Sequence, residues 1–345
     1  MTTPALGGSL SRPALVTTAA IGGSAIEDMS PGGAVYDLAI KSARRARIVS
    51  ARIDRDHLTP WVVSVFRPQA PWEQTQAQFS QLIRDHYDGY VDDLGWDDAD
   101  PFRMFIPMFC AWTAYKLRYC NIGFGQLLEA LYPRSSGTMS TISGTAGKEA
   151  AIEIVAGDTV LSGRYQRRIY CTGPTYHLER IADGAHFTGA STSYYGQQIA
   201  WAINSVINTG DWLPLHFNSR TIDGTHLIYH YVPPSDDLSI NTTDVSEAAN
   251  KGVSWVQSAG SARAITAVEV TGNDLIVTFD GAISGGVAGN LGIATMGPDV
   301  DYSTAVPAGP TTGARSNFCS RTGVNIDDGR EMIHWACPQE DFITT

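Results

Sequence analysis

The chain has 345 residues and is acidic, with 35 Asp and Glu against 24 Lys and Arg and a formal net charge of −11, which argues against a nucleic-acid partner held on a basic surface. Only 17% of its residues are charged, below the roughly 25% of ordinary globular chains, a composition that suits a subunit burying surface against neighbours. Five cysteines without regular spacing argue against a disulfide framework and a zinc site, and no apolar run reaches membrane-spanning length.

Length suggests two domains with ample core. Residues 1–13 are small and polar with two prolines and read as an N-terminal arm. Residues 14–21 (ALVTTAAI) form a buried-strand candidate, Gly22-Gly23-Ser24 the turn, and Ala25–Asp28 the start of a short helix. Strand, glycine turn, serine and helix together make a context in which backbone N–H groups converge on an anion. It is also the context of a nucleophile elbow, although Ile26 stands where the last Gly of G-x-S-x-G would be. The competing reading is a tight turn that uses Gly for its dihedral freedom. Tyr36–Ser50 reads as an amphipathic helix. Trp61–Phe66 reads as a buried strand running into Arg67-Pro68-Gln69-Ala70-Pro71. Gln74–Val91 is a helix, Asp92–Asp100 an exposed turn, Phe102–Cys110 an apolar strand, Gly123–Leu131 helical and Gly137–Gly147 a loop. Gly144–Glu149 has a misplaced first Gly, and Glu149 stands where a phosphate-binding loop needs Ser or Thr.

The stretch from Arg168 to Ala202 organises the rest. Ile169–Cys171 reads as a short strand ended by Gly173 and Pro174, and Ser193–Ile203 has helical apolar spacing. Between them lies Asp183-Gly184-Ala185-His186. A carboxylate three residues before an imidazole can hold one ring nitrogen while the other faces a substrate, the orienter–base half of a nucleophilic triad. The bland alternative is a turn-capping Asp beside a surface His. From Asp211 the texture changes to short runs with period-2 alternation (LPLHF, HLIYHYV, ITAVEV, DLIVTF, EMIHWAC), including a hairpin across Thr271–Asp274. These predict a β-sandwich. His226 and His230 lie roughly 13 Å apart on an extended strand, too far to share a metal ion. The strand–helix alternation before that point predicts an α/β layer over residues 14–208 with a mostly parallel sheet, followed by an all-β sandwich over 209–345.

The segment GPTYHLERIADGAHFTGASTSYYGQQIA resembles the last conserved block of the SGNH (GDSL-like) hydrolases, in particular their carbohydrate acetylesterase branch. The resemblance implies an SGNH-like three-layer domain in which Asp183 and His186 match the acid and base of an esterase triad. RPALVTTAAIGGSAIEDMSPGGAVYDLAI resembles the second block of the same family, whose glycine turn supplies an oxyanion donor and maps onto Gly22 and Gly23. The family's first block, with its nucleophile, has no counterpart before residue 14, so Ser24 is the nucleophile candidate. The third block is degraded, leaving Gln69 to complete an oxyanion hole. GARSNFCSRTGVNIDDGREMIHWACPQEDF resembles a β-domain that follows SGNH domains in bacteriophage virion proteins.

Three functions follow as expectations from that resemblance. One is a virion structural protein whose esterase-like domain no longer catalyses and serves glycan binding or assembly with other virion proteins, as a homo-oligomer. A second is an active O-acetylesterase that trims host surface polysaccharide. In a third, a neighbouring chain supplies the missing nucleophile. All three place the protein on the virion after synthesis in the host cytoplasm. None requires a signal peptide, membrane, cofactor or metal.

Overall fold

The computed structural model describes residues 26–52, 61–63, 76–95, 103–108, 168–183, 186–295 and 309–345. The expected strand at residues 14–21, the Gly22–Ser24 turn, the segment around Gln69 and the helix at 123–131 lie outside the described residues. In chain order the elements begin with α1 (Ile26–Met29), α2 (Ala34–Arg52), β1 (Trp61–Val63), α3 (Gln76–Leu94), β2 (Arg103–Met108), β3 (Ile169–Pro174) and α4 (Gly189–Thr209). They continue with β4 (His216–Asp223), β5 (His226–Val232), β6 (Leu238–Ile240), β7 (Val253–Ala259), β8 (Ile265–Thr271) and β9 (Asp274–Phe279). The last four strands are β10 (Ala288–Ile293), β11 (Phe318–Asn325), β12 (Glu331–Trp335) and β13 (Gln339–Thr344). No helix among the described residues is long and apolar enough to cross a membrane.

The expected three-layer domain built on a mostly parallel sheet is corrected by the strand pairing. Parallel pairing among the described residues is confined to one three-stranded sheet, β1-β2-β3. The other sheets, β13-β10-β7, β12-β11-β6 and β4-β5-β9-β8, pair antiparallel throughout, so the described residues are mostly antiparallel β with three long helices. The physical reason is connectivity. Each parallel neighbour needs a long crossover, whereas antiparallel strands close through short turns, and the chain beyond Asp211 is rich in short turns.

In this small parallel sheet β2 and β3 are buried on both faces, which explains why these two strands read as unbroken apolar runs. Met104, Ile106 and Ile169 pack with Tyr36 and Ile40 of α2 and with Ile83, Tyr87 and Val91 of α3. Phe105 and Tyr170, paired in register and stacked with ring centroids 5.1 Å apart, pack instead with Ala202 and Val206 of α4 and with Trp212. The Trp212 indole N–H then donates to the Cys171 carbonyl at 2.8 Å, fixing the chain as it leaves α4.

Period-2 burial governs the remainder. Along β5, Leu227, Tyr229 and Tyr231 point inward and alternate with half-exposed residues. They join Phe217, Leu275, Val277 and Phe279 in a core shared with Val253, Leu291, Ile293 and Ile343 from the β13-β10-β7 sheet. The expected hairpin is present: β8 and β9 pair Thr271 with Asp274 across a two-residue turn whose Gly272 sits at φ +58°.

Polar side chains lock the closing strand into this core. Gln339 accepts from the Phe217 N–H at 2.8 Å and donates to the Phe217 carbonyl at 2.9 Å, beside the register shift between Phe217 and Ser219. The Asp341 carboxylate, almost fully buried, takes an ion pair from Arg220 and the Tyr229 hydroxyl at 2.9 Å.

A candidate functional site on the loop before helix α4

The loop grows directly out of β3. Gly173 sits at φ +108°, a conformation that suits glycine, and a Cβ there would come 2.8 Å from Gln198 Nε2. That close approach lets Gln198 donate to the Thr172 carbonyl at 2.8 Å, tying the middle of α4 to the end of the strand. Past Pro174 the chain folds back on itself as a small hairpin. Arg180 and Phe187 form an antiparallel bridge, the Ile181 N–H donates to the His186 carbonyl at 2.9 Å, and the Thr188 N–H donates to the Glu179 carbonyl at 3.0 Å. The Arg180 guanidinium lies 4.8 Å from the centre of the Phe187 ring. The hairpin ends where Thr188 caps α4 by accepting from the Ser191 N–H at 3.2 Å.

Asp183 and His186 face one another at the tip of this hairpin. One carboxylate oxygen of Asp183 accepts the His186 backbone N–H at 3.0 Å, and the other lies 2.6 Å from His186 Nδ1. An ionised carboxylate only accepts, so Nδ1 carries the proton, and in the neutral ring Nε2 presents a lone pair. The two side chains are 43% and 60% exposed, so the imidazole is open to a solute while its orientation is fixed from below. This arrangement can take a proton from a hydroxyl and return it to a leaving alcohol. The structure brings together these two sequence-derived candidates. Ser24, Gly22, Gly23 and Gln69 lie outside the described residues. Among the described residues no group of His, Cys, Asp and Glu has the makings of a metal site. His230 pairs through Nδ1 with Asp274 at 2.8 Å and through Nε2 with Thr221 at 3.0 Å.

The rear of the site consists of residues that the sequence did not single out. Tyr176 donates to the Ala336 carbonyl at 2.9 Å and contacts Ser316 Oγ at 3.2 Å. His177 stacks on Trp335 with ring centroids 5.9 Å apart, and both of its ring nitrogens are shielded from solvent. Burial lowers its pKa to about 3, opposed in part by the neighbouring Gln198 amide, whose approach falls short of hydrogen-bond geometry. His334 lies between Trp201 and Trp212, and burial lowers its pKa to about 3 as well. The Tyr194 hydroxyl accepts from the Ile333 N–H at 2.8 Å and donates to the Glu331 carbonyl at 3.2 Å, and burial pushes its pKa up to about 12. Arg330 lies 5.0 Å over the Tyr194 ring and donates to the Ala190 carbonyl at 3.1 Å. Helix α4, which starts at the site, is therefore held from behind by β12 and the turn before it.

No protein-family model and no curated protein matches the sequence. Among solved structures, the chain has distant similarity to a novel carbohydrate acetylesterase from Xanthomonas citri, at 10% identity and a TM-score of 0.45. The match covers 84% of this chain but 51% of that protein, so the chain spans about half the length of its structural neighbour.

Proposed function

We propose that this chain is a carbohydrate O-acetylesterase carried on a bacteriophage particle, acting on acetylated surface polysaccharide through Asp183 and His186. The observation that carries this reading is the 2.6 Å contact between Asp183 and Nδ1 of an exposed His186. It leaves Nε2 to remove the proton from a hydroxyl as its oxygen bonds to the acetyl carbonyl carbon. When the ester C–O bond breaks, the sugar oxygen takes that proton from His186. Water then repeats the sequence on the acyl-enzyme and releases acetate. Ser24 supplies the hydroxyl on the sequence reading, with Gly22 and Gly23 as oxyanion donors. The virion setting rests on the resemblance of residues 313–342 to a virion β-domain.

A second reading, glycan binding without turnover, is favoured by Pro68 and Pro71, which stand where the third esterase block would run. Acetate release from acetylated xylan and from an activated acetyl ester separates the two. On the esterase reading, His186→Ala and Ser24→Ala each lower the rate by about 10²–10⁴-fold. Release at the same rate in wild type and His186→Ala refutes the esterase reading. Retention of the polysaccharide that depends on His186, without release of acetate, establishes the second.

A further inference from the structure

The antiparallel domain carries an open groove of about 420 Å³ at the end of β7, lined by Trp255, Gln257, Ser258, Gly260, Ala262 and Arg263. We propose that this groove is a saccharide subsite for an acidic sugar, a uronic acid residue within a polysaccharide, separate from the Asp183–His186 loop.

Two flat groups form the groove. The Trp255 indole is half-buried and anchored on the core, edge-on to Phe279 at 5.2 Å between ring centres. Its six-membered ring lies across Gly289 of β10 so closely that a Cβ there would meet it at 2.3 Å. The Arg263 guanidinium lies against Gly281 in the same manner, with a built Cβ 3.0 Å from its central carbon. Its Nε donates to the Ala282 carbonyl and one terminal nitrogen to the Ala262 carbonyl, each at 2.9 Å. Gln257 holds the intervening turn: it accepts from the Arg263 N–H at 2.7 Å and donates to the carbonyls of Ala259 and Ser261. Both flat groups are thus fixed before any ligand arrives, which reduces the ordering cost of binding.

The charge of Arg263 selects the ligand. Among the described residues it forms no ion pair, and its side chain donates to neutral carbonyls. An unneutralised guanidinium is unusual in a chain of net charge −11, and it retains donors in the fork geometry that suits a carboxylate. An aromatic wall beside such a fork offers C–H contact to a pyranose ring and a bidentate partner to its carboxylate. The shallow, open form of the groove admits a sugar in mid-chain. This proposal rests on the carbohydrate reading above, and it places binding on residues other than those of the Asp183–His186 loop.

The test uses the full chain with trigalacturonate, its neutral counterpart trigalactose, and polyglutamate, followed by calorimetry and tryptophan fluorescence. Trigalacturonate is expected to bind at least tenfold more tightly than trigalactose, with affinity falling as salt rises. Arg263→Gln should remove that preference and Arg263→Lys restore part of it. Trp255→Phe should abolish the fluorescence change, and its near-ultraviolet circular dichroism should report retained packing. His186→Ala should bind trigalacturonate as the wild type does, so loss of esterase activity and loss of this subsite are read separately. Equal binding of acidic and neutral sugars, an undiminished preference in Arg263→Gln, or equally tight binding of polyglutamate would overturn the proposal.

Discussion

Four histidines with desolvated rings make the stability of this protein depend steeply on pH in the mildly acidic range. Burial lowers the pKa of His86 to about 4 and of His177 and His334 to about 3, and it lowers that of His216. In the unfolded chain each returns to about 6.5, so below that value the unfolded state binds protons that the native state refuses. The stability conferred by neutral burial is complete above pH 6.5 and is lost as pH falls toward the folded values. Each such histidine contributes a slope of about 1.4 kcal/mol per pH unit, or about 2 kcal/mol between pH 6.5 and 5. His86, His177 and His334 together reach about 6 kcal/mol, comparable with the whole stability of a typical domain, about 5–15 kcal/mol. Urea unfolding at fixed ionic strength between pH 5 and 7.5 measures this, in a range where exposed carboxylates stay ionised. His177→Gln and His334→Gln should each flatten the slope by about one proton's worth, whatever they do to stability at pH 7.5. A slope in either variant identical to that of the wild type would show that these rings are not buried in their neutral form.

Gly173→Ala places a Cβ 2.8 Å from Gln198 Nε2 at φ +108°, and thermal unfolding should show a loss of about 1–3 kcal/mol. Asp341→Ala strands the Tyr229 hydroxyl and the partly exposed Arg220, for a cost of about 3 kcal/mol by urea denaturation. Asp341→Asn, which keeps an acceptor for Tyr229, should cost less. Tyr194→Phe leaves the Ile333 N–H and the Glu331 carbonyl without their phenolic partner, and about 1–3 kcal/mol should be lost in the same assay.

Local periodicity was a reliable guide where one face of an element is wet. The alternation in HLIYHYV appears as β5, and the expected helices at 36–50 and 74–91 correspond to α2 and α3. Helix α4 begins four residues earlier than its apolar spacing indicated, because Gly189–Thr192 are small and polar and their helical state depends on the Thr188 cap. The parallel-sheet expectation failed because short apolar runs do not state their pairing direction, and among the described residues only β1, β2 and β3 pair in parallel. The polar sequence of β13 gave no hint of burial. Gln339 and Asp341 are enclosed by partners more than 110 residues away, a relation that no local window contains. The Asp183–His186 contact was legible because it is closed within four residues. The desolvated ring of His177 was not, because its stacking partner, Trp335, arrives from the far end of the sequence.

That long separation governs the order in which the molecule assembles. The hairpin bearing His186 has no rear wall until Arg330, Ile333 and Trp335 have left the ribosome, about 150 residues later. At about 5–20 residues per second, that is an interval on the order of ten seconds. During that time α4 is finished as a segment but Tyr194 lacks its backbone partners and the apolar side of the helix its strand. Contacts this far apart in sequence are slow to close. The nascent chain therefore passes through a stage in which the proposed esterase loop is already synthesised but cannot yet be held in place, and a chaperone that shields α4 would act on that stage.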